Sequence, residues 1–166
     1  MKKVSILATN GTIATTVLGP MDVFFLAGRL WNAIYDQPLT PFFDVEIVAE
    51  KEGPVKCLNN VLLQPHRTLS EVGKTDLIII SSITRRTLEP KPRPETVRWL
   101  KTQHRRGASI ASVCTGAFLL AATGLLNGKT ATTHWGFMDL FRQRHPDVIL
   151  QPEKVITDEG TLYCAG

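Results

Sequence analysis

Two side chains stand out for the chemistry they could do, Cys114 and His134. A thiol within reach of an imidazole is the smallest set for thiol nucleophilic catalysis. Cys114 lies in Ser109-Ile110-Ala111-Ser112-Val113-Cys114-Thr115-Gly116-Ala117-Phe118. The run Ala108–Val113 predicts a buried strand, and Thr115–Ala122 predicts a helix that starts with no loop between them. A residue at such a junction is held in a tight turn. Its side chain is pushed out at the carboxyl end of the sheet, where open α/β folds bind ligands. Ser112 and Gly116 are small enough to let the backbone fold closely there. The helix start presents free N–H groups and a partial positive charge, which favour thiolate over thiol. His134 sits at a second strand-to-helix junction, in Lys129-Thr130-Ala131-Thr132-Thr133-His134-Trp135, and is expected near the same sheet edge. Each residue also has a plainer reading: an inert buried thiol for Cys114, a helix-capping or packing histidine for His134.

The elements that must position these residues follow from pattern. Val4–Ala8 reads as a buried first strand ended by Asn10-Gly11. Pro20 is expected to open a helix whose apolar face carries Met21, Phe24, Phe25, Ala27, Gly28 and Trp31. Phe43–Ala49 alternates as a strand, and Val55–Leu63 reads as a hairpin region with Leu62 and Leu63 buried. Asp76–Ile80 is a β-branched run suited to a parallel strand covered on both faces. A loop with Pro90, Pro92 and Pro94 precedes a helix over Glu95–Arg106 that turns Val97 and Leu100 inward and stops at Gly107. Gly124 stops the helix after Cys114, and Trp135–His145 reads as one more helix ended by Pro146. Val148–Leu150, Lys154–Thr157 and Thr161–Cys164 read as short strands, the last two joined by an Asp158-Glu159-Gly160 turn. Strands alternating with helices predict an α/β three-layer sandwich, a mostly parallel sheet with helices on both faces. A helix is expected after Thr161–Cys164, where the sheet would otherwise be left bare on one face.

Composition sets bounds on function. The 166 residues suit one domain, with 43% apolar and 20% charged residues and a net charge of +4. The basic clusters Lys101/His104/Arg105/Arg106 and Arg142/Arg144/His145 read as solvated helix ends, and no helix-turn-helix, zinc spacing or aromatic platform accompanies them. Three cysteines without C-x-x-C spacing point to free thiols in a reducing compartment, the cytoplasm. The apolar run after Lys2-Lys3 is too short for a signal peptide, and no stretch could cross a bilayer. No glycine-rich phosphate loop is present, so neither nucleotide nor metal cofactor is expected.

Ser-Val-Cys-Thr-Gly-Ala-Phe-Leu-Leu-Ala at 112–121 and Gly-Leu-Leu-Asn-Gly-Lys-Thr-Ala-Thr-Thr-His-Trp at 124–135 together resemble the class I glutamine-amidotransferase-like superfamily, in its ThiJ/PfpI branch. Within that branch the chain is most similar to the N-terminal domain of AraC-family transcription regulators. Leu18-Gly19-Pro20-Met21-Asp22-Val23-Phe24 resembles that group's opening helix. Phe141–Val148 resembles its link after the His-Trp, and Thr157–Gly166 its late hairpin. The resemblance implies a flavodoxin-like fold and a sensor domain that forms a homodimer. It also implies a last helix and a pair of DNA-binding helix-turn-helix motifs beyond these residues.

Two departures shape the functional expectation. Enzymes of the superfamily are expected to carry an acid shortly before the Gly-Pro of the first helix, and Thr16 stands there. Threonine cannot act as a carboxylate base near neutral pH. They also tend to carry Gly-Gly after the strand that ends at Ile80, and this chain has Ser81-Ser82. These losses fit recognition better than turnover. The expected function is binding of a small metabolite effector beside Cys114, with Thr16, Ser81, Ser82, Thr115 and His134 as contacts and no catalytic residue. The alternatives are a cysteine-dependent hydrolase, hydratase or amidase using Cys114 and His134, and a redox sensor reading oxidation of Cys114.

Overall fold

The computed structural model describes residues 1–84 and 92–166. Pro90 of the proline-rich loop lies outside the described residues. The chain runs β1 (Lys2–Ala8), α1 (Thr15–Leu26), α2 (Leu30–Ile34), β2 (Phe43–Ala49), β3 (Val55–Lys56), β4 (Leu62–Leu63), β5 (Arg67–Thr68) and β6 (Leu77–Ile80). Then come α3 (Pro94–Arg105), β7 (Ser109–Val113), α4 (Ala117–Ala122), β8 (Thr130–Ala131), α5 (Met138–Arg144), β9 (Ile149–Leu150), β10 (Ile156–Asp158) and β11 (Leu162–Ala165). Among the described residues the main sheet has the order β10-β11-β7-β6-β1-β2-β5. Every neighbouring pair is parallel except the terminal hairpin β10–β11.

Period-two alternation divides the sheet residues between two cores. Leu7, Val48, Ile78, Ile80 and Ile110 point to one face and pack with Leu100 of α3, Phe118 and Leu120 of α4 and Phe141 of α5. Val4, Ile6, Ala8, Ile47 and Ile79 point to the other and pack with Val17, Met21 and Phe24 of α1. Helices therefore cover both faces of a mostly parallel sheet, the expected flavodoxin-like architecture. On the α1 face, Ala111, Val113, Tyr163 and Ala165 of β7 and β11 remain half-buried. Among the described residues no helix is long and apolar enough to cross a membrane.

Several local expectations are corrected. α1 starts at Thr15, so Pro20 lies inside it rather than at its first position. Ala14 and Val17 are buried against β1 and β2, and this packing outweighs the missing proline N–H. Of the apolar face expected there, Phe25 and Trp31 are exposed. The Val55–Leu63 hairpin forms, but antiparallel pairing turns Leu63 inward and leaves Leu62 in solvent. The helix expected over Trp135–His145 is a 3-10 turn at Trp135–Phe137 followed by α5. Pro94 does occupy the first turn of α3, and Gly107 and Gly124 end their helices with φ of +97° and +76°.

The turn before β11 is tied to β8 by Glu159. Its carboxylate accepts from the Thr130 N–H at 2.8 Å and from the Thr130 hydroxyl, with Lys129 Nζ at 3.8 Å. The hydrogen bonds to Thr130, helped by Lys129, hold its carboxyl below the usual carboxylate range. A folded-state pKa below the unfolded one contributes stability at neutral pH that is lost as pH falls through the acidic range. Glu159→Gln should therefore lower the urea midpoint at pH 7 and flatten its decline toward about pH 3. Equal midpoints for the two proteins at pH 7 would show that this tie contributes nothing.

Candidate functional site

The strand order reverses at β1. The chain leaves β1 for β2 on one side, and after β6 on the other side it moves on to β7. The crevice between the carboxyl ends of β1 and β6 is thus the topological switch point, where open α/β sheets bind ligands. Cys114 follows β7 directly and stands next to that crevice, because Ile80 of β6 pairs with Ser112 of β7.

Cys114 has φ +56°, the left-handed conformation that a non-glycine residue adopts only under constraint. A 3-10 turn over Cys114–Gly116 leads straight into α4, so the expected elbow is present. Gly116 makes it possible. A Cβ there would lie 2.6 Å from the Ile80 carbonyl oxygen and 2.9 Å from that of Ser81. Only glycine lets the two backbones approach this closely.

A network of hydroxyls fills the crevice floor. The Thr115 hydroxyl accepts from the Ile83 N–H at 2.9 Å, donates to the Ile83 carbonyl, and lies 3.0 Å from Ser82 Oγ. Ser81 Oγ donates to the Leu7 carbonyl at 2.8 Å. Thr12 Oγ1 lies 2.8 Å from both Ser81 Oγ and the Ser82 carbonyl oxygen. The Ser82 N–H donates to Thr16 Oγ1 at 3.1 Å, and the Thr16 hydroxyl donates to the Ile13 carbonyl at 2.7 Å. Thr12, Ser81, Ser82 and Thr115 are all buried. Among the described residues the network contains no charged side chain.

The structure thus gathers Thr16, Ser81, Ser82 and Thr115 into one network and sets Cys114 at its rim. Thr12 belongs to the same network and was not singled out from the sequence. Its only signal is its place just past the Asn10-Gly11 turn that ends β1. Thr133 is a second such residue. Its hydroxyl donates to the Cys114 carbonyl at 3.0 Å, which brings the 130s junction against the elbow.

His134 lies beside the elbow in a capping role. Its Nδ1 accepts from the Gly136 N–H at 3.1 Å, and its ring stacks on Trp135 at 5.3 Å. With Nδ1 accepting, the neutral ring carries its proton on Nε2 and is a donor there. Among the described residues no hydrogen bond joins Cys114 to His134. Among the same residues no group of three His, Cys, Asp or Glu could hold a metal ion.

The other two cysteines, Cys57 and Cys164, are buried, and burial pushes both thiols up. Cys114 is half-buried. Iodoacetamide near neutral pH should therefore modify Cys114 first, at least about tenfold faster than either other thiol. Equal labelling of Cys57 or Cys164 in the folded protein would contradict this assignment. Gly116→Ala should cost about 1–3 kcal/mol by forcing the elbow off β6. An unchanged urea midpoint would show that the contact is not tight.

Comparison with known proteins places this geometry in a family. The family model described as DJ-1/PfpI matches residues 2–165. The chain is 29% identical over 122 residues to the HTH-type transcriptional regulator CdhR of Pseudomonas aeruginosa, covering 72% of this chain and 35% of the regulator. It is 31% identical over 127 residues to the isonitrile hydratase of Pseudomonas putida, covering 76% of this chain and 54% of the hydratase. The chain therefore spans only about a third to a half of these two relatives. The crystal structure of an AraC family transcriptional regulator from Pseudomonas putida superposes with a TM-score of 0.80 at 17% identity, over 99% of this chain and 83% of that one. The elbow at Cys114, the parallel sheet and the match over nearly every residue agree: the chain belongs to the DJ-1/PfpI family.

Proposed function

We propose that this chain is the effector-sensing domain of an AraC-family DNA-binding transcription regulator, and that a small polar or amine-bearing metabolite binds beside Cys114. One observation carries the reading. The N–H groups that follow β6 are already taken: Ser81 donates to Leu7, Ser82 to Thr16 and Ile83 to Thr115. The strand end that would face a developing oxyanion therefore offers no free donor at these three positions. Among the described residues the network also holds no carboxylate, and the His134 Nδ1 is occupied as a cap.

Ligand contact falls to the accessible rim, Cys114, Thr16 and His134. Ser81, Ser82 and Thr115 hold the floor on which it rests. The similarity to CdhR supports the regulatory half of the reading. DNA would be bound through a domain outside these residues, and the protein would act in the cytoplasm as a homodimer. Effector binding would shift the balance between two arrangements of that dimer.

A specific observation keeps a second reading in play. Cys114 stands half-buried at a strained elbow, and an isonitrile hydratase is among the relatives. One experiment separates the two. Thermal unfolding is followed with a panel of amines and amino acids, and isocyanide and amide turnover is assayed on the same protein. On the sensing reading, a ligand at a hundred times its Kd raises the Tm by roughly 5–10 °C, Cys114→Ala still responds, and Cys114→Trp does not. Turnover that vanishes in Cys114→Ala would replace sensing with catalysis. The coding sequence beyond Gly166 is expected to supply a further helix and two helix-turn-helix units, and a stop codon directly after that helix would end the regulator reading.

A further inference from the structure

One helix carries its apolar side outward. α2 buries none of its residues. Leu30 and Ile34 are four apart, as are Trp31 and Tyr35, so the four form one stripe on the helix. The Trp31 and Tyr35 rings meet at 4.4 Å. Trp31 is 68% exposed, Ile34 63% and Tyr35 54%. Leu39 and Phe42, on the limb that returns to β2, are exposed as well. The polar residue of the helix turns inward instead. Asn32 Nδ2 donates to the Pro38 carbonyl at 2.7 Å and to Thr40 Oγ1 at 3.0 Å. This inverts the pattern of an ordinary surface helix.

The lobe is also firmly built. Its two limbs are pinned at the base, where the Thr40 N–H donates to the Gly28 carbonyl at 3.0 Å and the Phe42 N–H to the Ala27 carbonyl at 3.4 Å. Gly28 has φ +74°, and the Thr40 carbonyl occupies the place a Cβ would need. Pro38 and Pro41 stiffen the returning limb. A surface ordered in advance loses little entropy on binding.

Area and charge identify the occupant. Leu30, Trp31, Ile34, Tyr35, Leu39 and Phe42 each leave more than half of their surface in solvent, together on the order of 800 Å² with backbone and polar atoms included. A typical monomer carries no apolar patch above about 300–600 Å², and a standard interface takes about 800 Å² from each partner. Leu30–Phe42 contains one charged residue, Asp36. Interfaces between domains of one chain are more polar than this, whereas homodimer interfaces are the more apolar class. A two-fold contact needs only one self-complementary patch on each copy.

We propose that the outward stripe of α2, with Leu39 and Phe42 at the base of its lobe, is the surface on which a second copy of this chain docks. The surface lies at the amino end of the sheet, where Lys2 pairs with Phe43, and so at the opposite end from Cys114. It gives the pairing invoked above a specific location, and the two ideas fail separately. A dimer through α2 that binds no effector sinks the sensing reading alone, and a monomer that binds effector sinks this surface alone.

Sedimentation equilibrium on the 166-residue chain tests it. Between about 1 and 100 µM the species should have twice the 18.4 kDa of one chain. Trp31→Glu and Ile34→Glu should each raise the dimer Kd at least about 100-fold while the far-ultraviolet circular dichroism stays unchanged. A monomer throughout that range overturns the proposal, and so does a dimer indifferent to both substitutions. If a variant fails to fold, hydroxyl-radical footprinting of the unaltered protein decides. Slower labelling of Trp31 and Tyr35 at dimer-forming concentration supports the surface, and equal labelling at all concentrations refutes it.

Discussion

The close approach of the Cys114 elbow to the end of β6 governs the arrangement of the site. Gly116 lets the first turn after β7 lie against the Ile80 and Ser81 carbonyls. With the backbones that close, the Thr115 hydroxyl reaches both the N–H and the carbonyl of Ile83. Thr115 can do this because it sits in the 3-10 turn that precedes α4 and lies against the strand end. The positive φ at Cys114 follows from the same constraint: the chain must reverse within one residue to enter the helix. Strand, elbow and hydroxyl network are consequences of one backbone contact.

That contact also decides what the site is suited for chemically. In a hydrolytic site the N–H groups near the nucleophile must be free when negative charge develops on the substrate. Here hydroxyl side chains and a neighbouring strand already accept from those after β6. A ligand that took the Ser82 N–H would have to displace Thr16, leaving that hydroxyl to find another donor. What remains beside the half-buried Cys114 is a floor of hydroxyls, buried at Thr12, Ser81, Ser82 and Thr115 and uncharged among the described residues. This is the chemical ground for the sensing reading proposed above: donors already engaged after β6 are poorly placed to stabilise an oxyanion.

Much of this was legible in the residues, and the misses share a cause. Strands β1, β2 and β6 declared themselves because fully buried strands need apolar β-branched runs, and the elbow because a strand met a helix with no turn residues between. Pro20 misled because its local preference for a helix start was overridden by Ala14 and Val17 packing on the sheet. Leu62 misled because pairing register, which composition does not encode, chose which leucine turns inward. Thr12 went unseen because a threonine after a turn looks like any loop residue until β6 is placed beside it. For His134 both a catalytic and a capping reading were open. The Nδ1 acceptor bond to Gly136 favours the cap, and no sequence pattern reveals which ring nitrogen is committed.

α1 joins the two ends of the molecule. Near its start, Thr16 accepts from the Ser82 N–H in the crevice at the carboxyl ends of β1 and β6. Just past its end, Ala27 and Gly28 pin the base of the apolar lobe. A helix of twelve residues spans about 18 Å, and α1 packs one side on the sheet through Val17, Met21 and Phe24. Pro20 removes one hydrogen bond from its middle, so a small bend there costs less than in an unbroken helix. On the two readings proposed above, a ligand competing for the Ser82 N–H would meet Thr16 first, and α1 is the element that runs from Thr16 to the base of the α2 lobe. If the two proposed surfaces are coupled, the coupling must show differential contacts at both ends of this helix, because thermodynamic linkage allows no shift without them.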